Sequence, residues 1–183
     1  MTVPNSPYAR LIQAIALDDD EAAEAQIPHL GPADALALLA LAQAGGAEAV
    51  PVLVDALAAD DAGERAVAAL ALGHLHARAG QAVNPALPSL AHCLADGEGL
   101  VRQAAADGLA LCGEDAVPVL VAALESPHDG VRVRAVIALR KLQSMRAAAA
   151  LYQHLNDPNR LVRLYAYETL DAMGLLTNIL LRP

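Results

Sequence analysis

A chain of 183 residues is long enough for one continuous apolar core and by size needs no second domain. Hydrophobic residues make up 56% of it, yet aromatics are only 2%, with no Phe and no Trp, so the apolar mass is mostly Ala, Leu and Val. The formal net charge of −9 repels phosphate backbones and argues against nucleic acid as a partner.

Ala and Leu in such excess favour helix, because Ala loses no side-chain entropy on entering one and Leu little. No basic stretch precedes an apolar core near the start, and the longest apolar runs, Ala35 to Ala42 and Ala66 to Gly73, fall well short of a bilayer span. A membrane is therefore not expected as a partner. Two cysteines, Cys93 and Cys112, are too few for a disulfide framework, and a reducing, cytoplasmic setting is the expectation.

In chain order, three helical stretches come first: Tyr8 to Leu17, Glu21 to His29 and Ala33 to Ala44. They are separated by Asp18-Asp19-Asp20 and by Gly31-Pro32, and the acidic cluster suits a helix start, where the backbone dipole favours negative charge. From residue 47 the sequence repeats. Val50 to Leu57, Leu87 to Leu94, Val117 to Leu124 and Ala148 to Leu155 each read as a short first helix. Breaker residues follow, in Asp60 to Gly63, Asp96 to Gly99, Ser126 to Gly130 and Asn156 to Asn159. A second helix then opens near an arginine eight positions after the closing leucine: Arg65, Arg102, Arg132 and Arg163.

Within the second helices one set of offsets recurs, as Val101, Ala105, Gly108, Leu109 and Cys112, as Val131, Ala135, Ala138, Leu139 and Leu142, and as Val162, Ala166, Thr169, Leu170 and Met173. That spacing marks one helical face, the face expected to be buried. Pro51 to Pro88 spans 37 residues and Pro88 to Pro118 spans 30, so about seven extra residues fall in His74 to Asn84. They read as a longer connection or a helix extension on the rim. The end, Leu175 to Leu181, is too apolar for a solvent-facing cap and is expected either to fold back or to meet another chain as a homodimer or assembly contact.

Proline in the first helix, Asp157-Pro158 in a turn, and Val131-Arg132 and Val162-Arg163 opening second helices resemble HEAT repeats. More narrowly, residues 47–174 are similar to the short HEAT-like units of bacterial phycobilisome-lyase-type proteins, with departures at Ala149, Glu64 and Gly97. The resemblance implies an all-α fold, a right-handed α-solenoid of four two-helix repeats, with 1–46 as a divergent N-terminal cap and 175–183 as a tail. It also implies two functions. One is a scaffold or adaptor that binds a protein through a concave surface. The alternative is an accessory or lyase subunit for bilin attachment to a phycobiliprotein-like acceptor, with Tyr167 and Arg140 as the residues of interest.

The repeated arginine reads first as structure. Near the acidic turns at Asp60, Asp96 and Asp157 its fork suits carboxylates bidentately, so Arg65, Arg102, Arg132 and Arg163 are expected to form a ladder of ion pairs between units. No metal or other cofactor is expected: His74-x-His76 and His92-Cys93 lack a third or fourth close ligand, and Cys112 sits at a core offset. No histidine precedes a glutamate, as iron-holding HEAT-like enzymes would require, and there is no G-x-S-x-G elbow or glycine-rich phosphate loop. With the core offsets removed, the outward row of the second helices holds Ala66, Ala69 and Leu70, then Gln103, Ala106 and Asp107. It continues as Val133, Val136, Ile137 and Arg140, then Leu164, Tyr167, Glu168 and Asp171. Two readings of this apolar row with charged edges stand side by side: a protein-binding groove, or packing between neighbouring units.

Overall fold

The structure is a computed structural model that describes residue 47 and residues 49–176. The helices expected over 1–46 and the tail from residue 177 lie outside the described residues. Four helix pairs follow one another. They are α1 (Ala49–Ala56) with α2 (Ala62–Ala79), α3 (Leu87–His92) with α4 (Gly99–Leu111), α5 (Val117–Leu124) with α6 (Asp129–Leu142), and α7 (Ala148–Gln153) with α8 (Arg160–Ala172). The fold is an all-α solenoid: each second helix packs on the second helix before it, so α2, α4, α6 and α8 form one layer and the first helices another.

Local chemistry explains the starts and stops. Pro88 and Pro118 stand in the opening turn of α3 and α5, where a missing N–H leaves no bond unmade. Asp61 caps α2 by accepting the Glu64 N–H at 2.9 Å, and Asn159 caps α8 by accepting the Leu161 N–H at 2.9 Å. Helix α6 starts two residues before the expected Val131, because His128 is the last extended residue and Asp129 suits the first turn.

Three second helices end at one offset, where Gly113, Gln143 and Gly174 take positive φ of 61°, 49° and 72°. In the first unit that offset is His76, and the helix runs on to Ala79 before Gly80 turns it at φ 54°. The extra residues thus form a helix extension followed by a 3₁₀ segment, Gly80–Ala86.

The core is continuous from unit to unit. Leu53, Leu72, Leu90, Leu109, Leu120, Leu139 and Leu151 are fully buried, one or two from each pair. At roughly 25 cal/mol per Å² of apolar surface removed from water, such leucines supply much of the drive for stacking. Between α2 and α4 the backbones themselves meet: a Cβ on Gly73 would lie 2.6 Å from the Gly108 carbonyl oxygen, and one on Gly108 would collide with the Ala69 carbonyl. Only glycine permits this approach.

Candidate interaction surface

The four arginines share one local task and divide on a second. Each Nη1 donates to carbonyls of its own turn. Arg65 reaches those of Ala59 and Asp60, Arg102 those of Asp96 and Gly97, Arg132 that of Ser126, and Arg163 those of Asp157 and Pro158. Arg65 and Arg132 also reach the next unit. Arg65 grips Asp96 through Nε at 2.8 Å and Nη2 at 3.0 Å, and Arg132 grips Asp157 through Nε at 2.9 Å and Nη2 at 3.1 Å. These are bidentate forks.

The remaining two arginines differ because their neighbours do. The position held by Asp96 and Asp157 is Ser126 in the third unit, so among the described residues Arg102 bonds no carboxylate and Arg163 has no following unit. Ser126 keeps only the local role, accepting the His128 N–H at 3.2 Å as Asp96 accepts the Glu98 N–H and Asp157 the Asn159 N–H. The ladder expected from four arginines is therefore two inter-unit pairs. Asp60 joins only through its carbonyl.

Electrostatics follow the geometry. The bond from Arg65, and then that from the Glu98 N–H, hold the Asp96 carboxyl below the ordinary aspartate range against the opposing effect of burial. At Asp157 burial is the largest effect and pushes upward, but the bonds from Arg132 and the Asn159 N–H outweigh it and the carboxyl is held low. Asp129 is lowered by a bond from Asn159, which ties the third turn to the fourth, and by one from Arg132 of its own unit. Burial pushes the Cys112 thiol up to about 12 and raises that of Cys93. Both behave as packed apolar groups. Among the described residues no group of three or more His, Cys, Asp or Glu is placed to hold a metal ion.

The outward row splits along its length. Val136 is fully buried at the junction of α6 with α8 and is not open to a partner, and Ala66, Ala69, Leu70 and Ala106 are likewise buried. At Ala69 the following second helix is the cover, since the Ala69 carbonyl lies against Gly108 of α4. Val133 and Ile137 are half-buried, whereas Arg140, Leu164, Tyr167, Glu168 and Asp171 are exposed, Leu164 by 42% and Tyr167 by 54%. Arg140 donates to Glu168 at 3.1 Å and lies 5.3 Å from the centroid of the Tyr165 ring.

Earlier in the layer, Arg134 donates to Gln103, Gln103 to Asp107 at 2.9 Å, and Lys141 to Asp107 at 2.5 Å. Sequence reasoning missed these cross-unit bonds. Their signal was present, since Asp107 and Lys141 are 34 residues apart and Gln103 and Arg134 are 31, close to one repeat period. The opposite layer carries a shallow groove of about 380 Å³ between α3 and α5, lined by Pro88, His92, Val119, Ala122 and Ser126 among others. Among the described residues no helix is long and apolar enough to cross a membrane.

Helix pairs stacked by repeated side-chain bonds, with a buried seam and outward rows that vary, define an α-solenoid repeat protein. Residues 87–171, spanning α3 to α8, match the family model of HEAT repeats. No curated protein matches the chain. Among solved structures it is similar to an engineered protein at 22% identity, covering 92% of this chain and 79% of that one, with a TM-score of 0.46. It is also similar to the complex of CpcE and CpcF of phycocyanin lyase from Nostoc sp. PCC7120, at 21% identity over 94% of this chain and 68% of that one, with a TM-score of 0.49. A third is the archaeal HEAT-like repeats protein from Thermococcus onnurineus NA1, at 20% identity, 94% and 67% coverage and a TM-score of 0.47.

Proposed function

We propose that the chain is a non-catalytic protein-interaction scaffold of the cytoplasm that binds a protein partner along its layer of second helices. The observation that carries this reading is Tyr167, 54% exposed beside the 42% exposed Leu164 and edged by Arg140, Glu168 and Asp171. An aromatic anchor in an apolar patch with a charged rim suits a protein interface. Val133 and Ile137 extend the apolar strip into the third unit, and the arginines hold the scaffold. The test is affinity capture from native extract with the wild type, Tyr167→Ser and Ile137→Ser. A specific protein held by the wild type and released by a variant of unchanged melting temperature supports the reading; capture that ignores both substitutions overturns it.

The resemblance of Val131-Arg132 and Asp157-Pro158 to phycobilisome-lyase-type units supports a second reading, an accessory or lyase subunit in bilin attachment, with Tyr167 and Arg140 against the pigment or its acceptor. Co-expression with bilin and acceptor is expected to yield covalent pigment under that reading. Colourless acceptor would exclude it.

A further inference from the structure

The face of α8 turned away from α6 is the one that, in every earlier unit, the next helix covers. At its central offset Ala69, Ala106 and Val136 are each 0% exposed, whereas Tyr167 is 54% exposed. Arg163 repeats the contrast: the Nε and Nη2 that in Arg65 and Arg132 hold a carboxylate of the next unit have no acceptor among the described residues. An open fork alone does not mark an open face, since Arg102 has one too. The exposed apolar centre beside it does.

The charges on this face say what fits it. Arg160 and Arg163 stand on the first half of α8, Leu164 and Tyr167 at its centre, and Glu168 and Asp171 on the second half, at helical spacing along one stripe whose edge toward α6 is Glu168, reached there by Arg140. A second α8 laid antiparallel across it opposes Arg160 with Asp171, Arg163 with Glu168 and Leu164 with Tyr167. Each pair sums to 331 in residue number, so one two-fold axis through the helix middle satisfies all three at once. Such self-complementarity is the requirement for an isologous contact. Glu168 takes Arg140 through Oε2, and its Oε1 has no partner among the described residues.

We infer that the chain forms a homodimer through antiparallel α8 helices, with Tyr167 and Leu164 at the centre and Arg–carboxylate pairs at both ends. The inference rests on reading the row as a protein-binding surface and names the occupant of its α8 part. The two fail separately, because a monomer can still capture another protein through Ile137.

Sedimentation velocity of the full chain over a wide range of concentration provides the test, using the exposed outer pair, Arg160 and Asp171, whose side chains make no bond among the described residues. Arg160→Glu and Asp171→Arg are each expected to weaken the dimer by about tenfold or more, through like charges at both ends. Mixed together, the two variants are expected to form a heterodimer, since each then opposes the other with opposite charge. A wild type that stays monomeric at every concentration overturns the inference. So does a dimer that both variants leave intact, or two monomeric variants that fail to associate on mixing.

Discussion

At Asp157 one carboxylate serves two neighbours, closing its own turn through the Asn159 N–H at 2.7 Å and holding Arg132 of the preceding unit. The local bond makes the residue useful in any turn of this kind, and the long-range bond makes it a tie between units. Its carboxyl is held below the ordinary aspartate range in the folded chain and returns to that range, about 3.9, on unfolding. The unfolded chain therefore binds more protons between the two values. Stabilisation is complete above the unfolded value and is lost as pH falls through the folded one. Urea unfolding of Asp157→Asn is expected to show a deficit of about 1–2 kcal/mol near neutral pH. That deficit should shrink as pH drops below about 4; a deficit independent of pH would contradict the pairing.

At the scale of the element, the second helices are stopped by conformation at one offset and not by proline. Gly113 and Gly174 occupy the left-handed region freely, while Gln143 adopts φ 49° with a side chain that disfavours it. Gln143→Gly is expected to stabilise the chain by about 0.5–1 kcal/mol, measured as a raised urea midpoint at unchanged slope. Where His76 replaces the stop residue, the helix simply continues to the next glycine. The seven extra residues between Pro51 and Pro88 were visible in the sequence, but their helical form was not. Two continuations had similar propensity, and residue type at that offset did not decide between them, since Gln143 stops its helix there without being a glycine.

Across the whole molecule, cohesion between units is uneven. Units one and two are joined by the glycine contact of α2 with α4 and by Arg65–Asp96, and units three and four by Arg132–Asp157 and Arg140–Glu168. The middle junction has the bonds of Gln103 and Asp107 to α6, but Ser126 stands where a carboxylate would meet Arg102, which bonds only the carbonyls of its own turn among the described residues. Ser126→Asp keeps the turn's acceptor and is expected to supply the missing carboxylate. The gain would be about 0.5–1 kcal/mol, or roughly 2–4 °C in Tm. In Ser126→Asp combined with Arg102→Lys most of the gain should disappear, because an ammonium cannot make the fork.

The repeat period, the helix pairs and most of the buried offsets were determined by the sequence alone, because each recurs and a 3.6-residue helix converts spacing directly into a face; at the last offset Cys112 is buried but Leu142 and Met173 are only half-buried. Val136 shows where that ends. It sits outward by spacing, yet lies fully buried, because an outward face in a solenoid is also the face that the next unit covers. Tyr167 occupies the same offset and is exposed, for want of a following helix among the described residues. Which arginines bridge units was equally a tertiary matter: the residue type repeats four times, but its partner lies about one period away, and only stacking decides whether an Asp or a Ser arrives there.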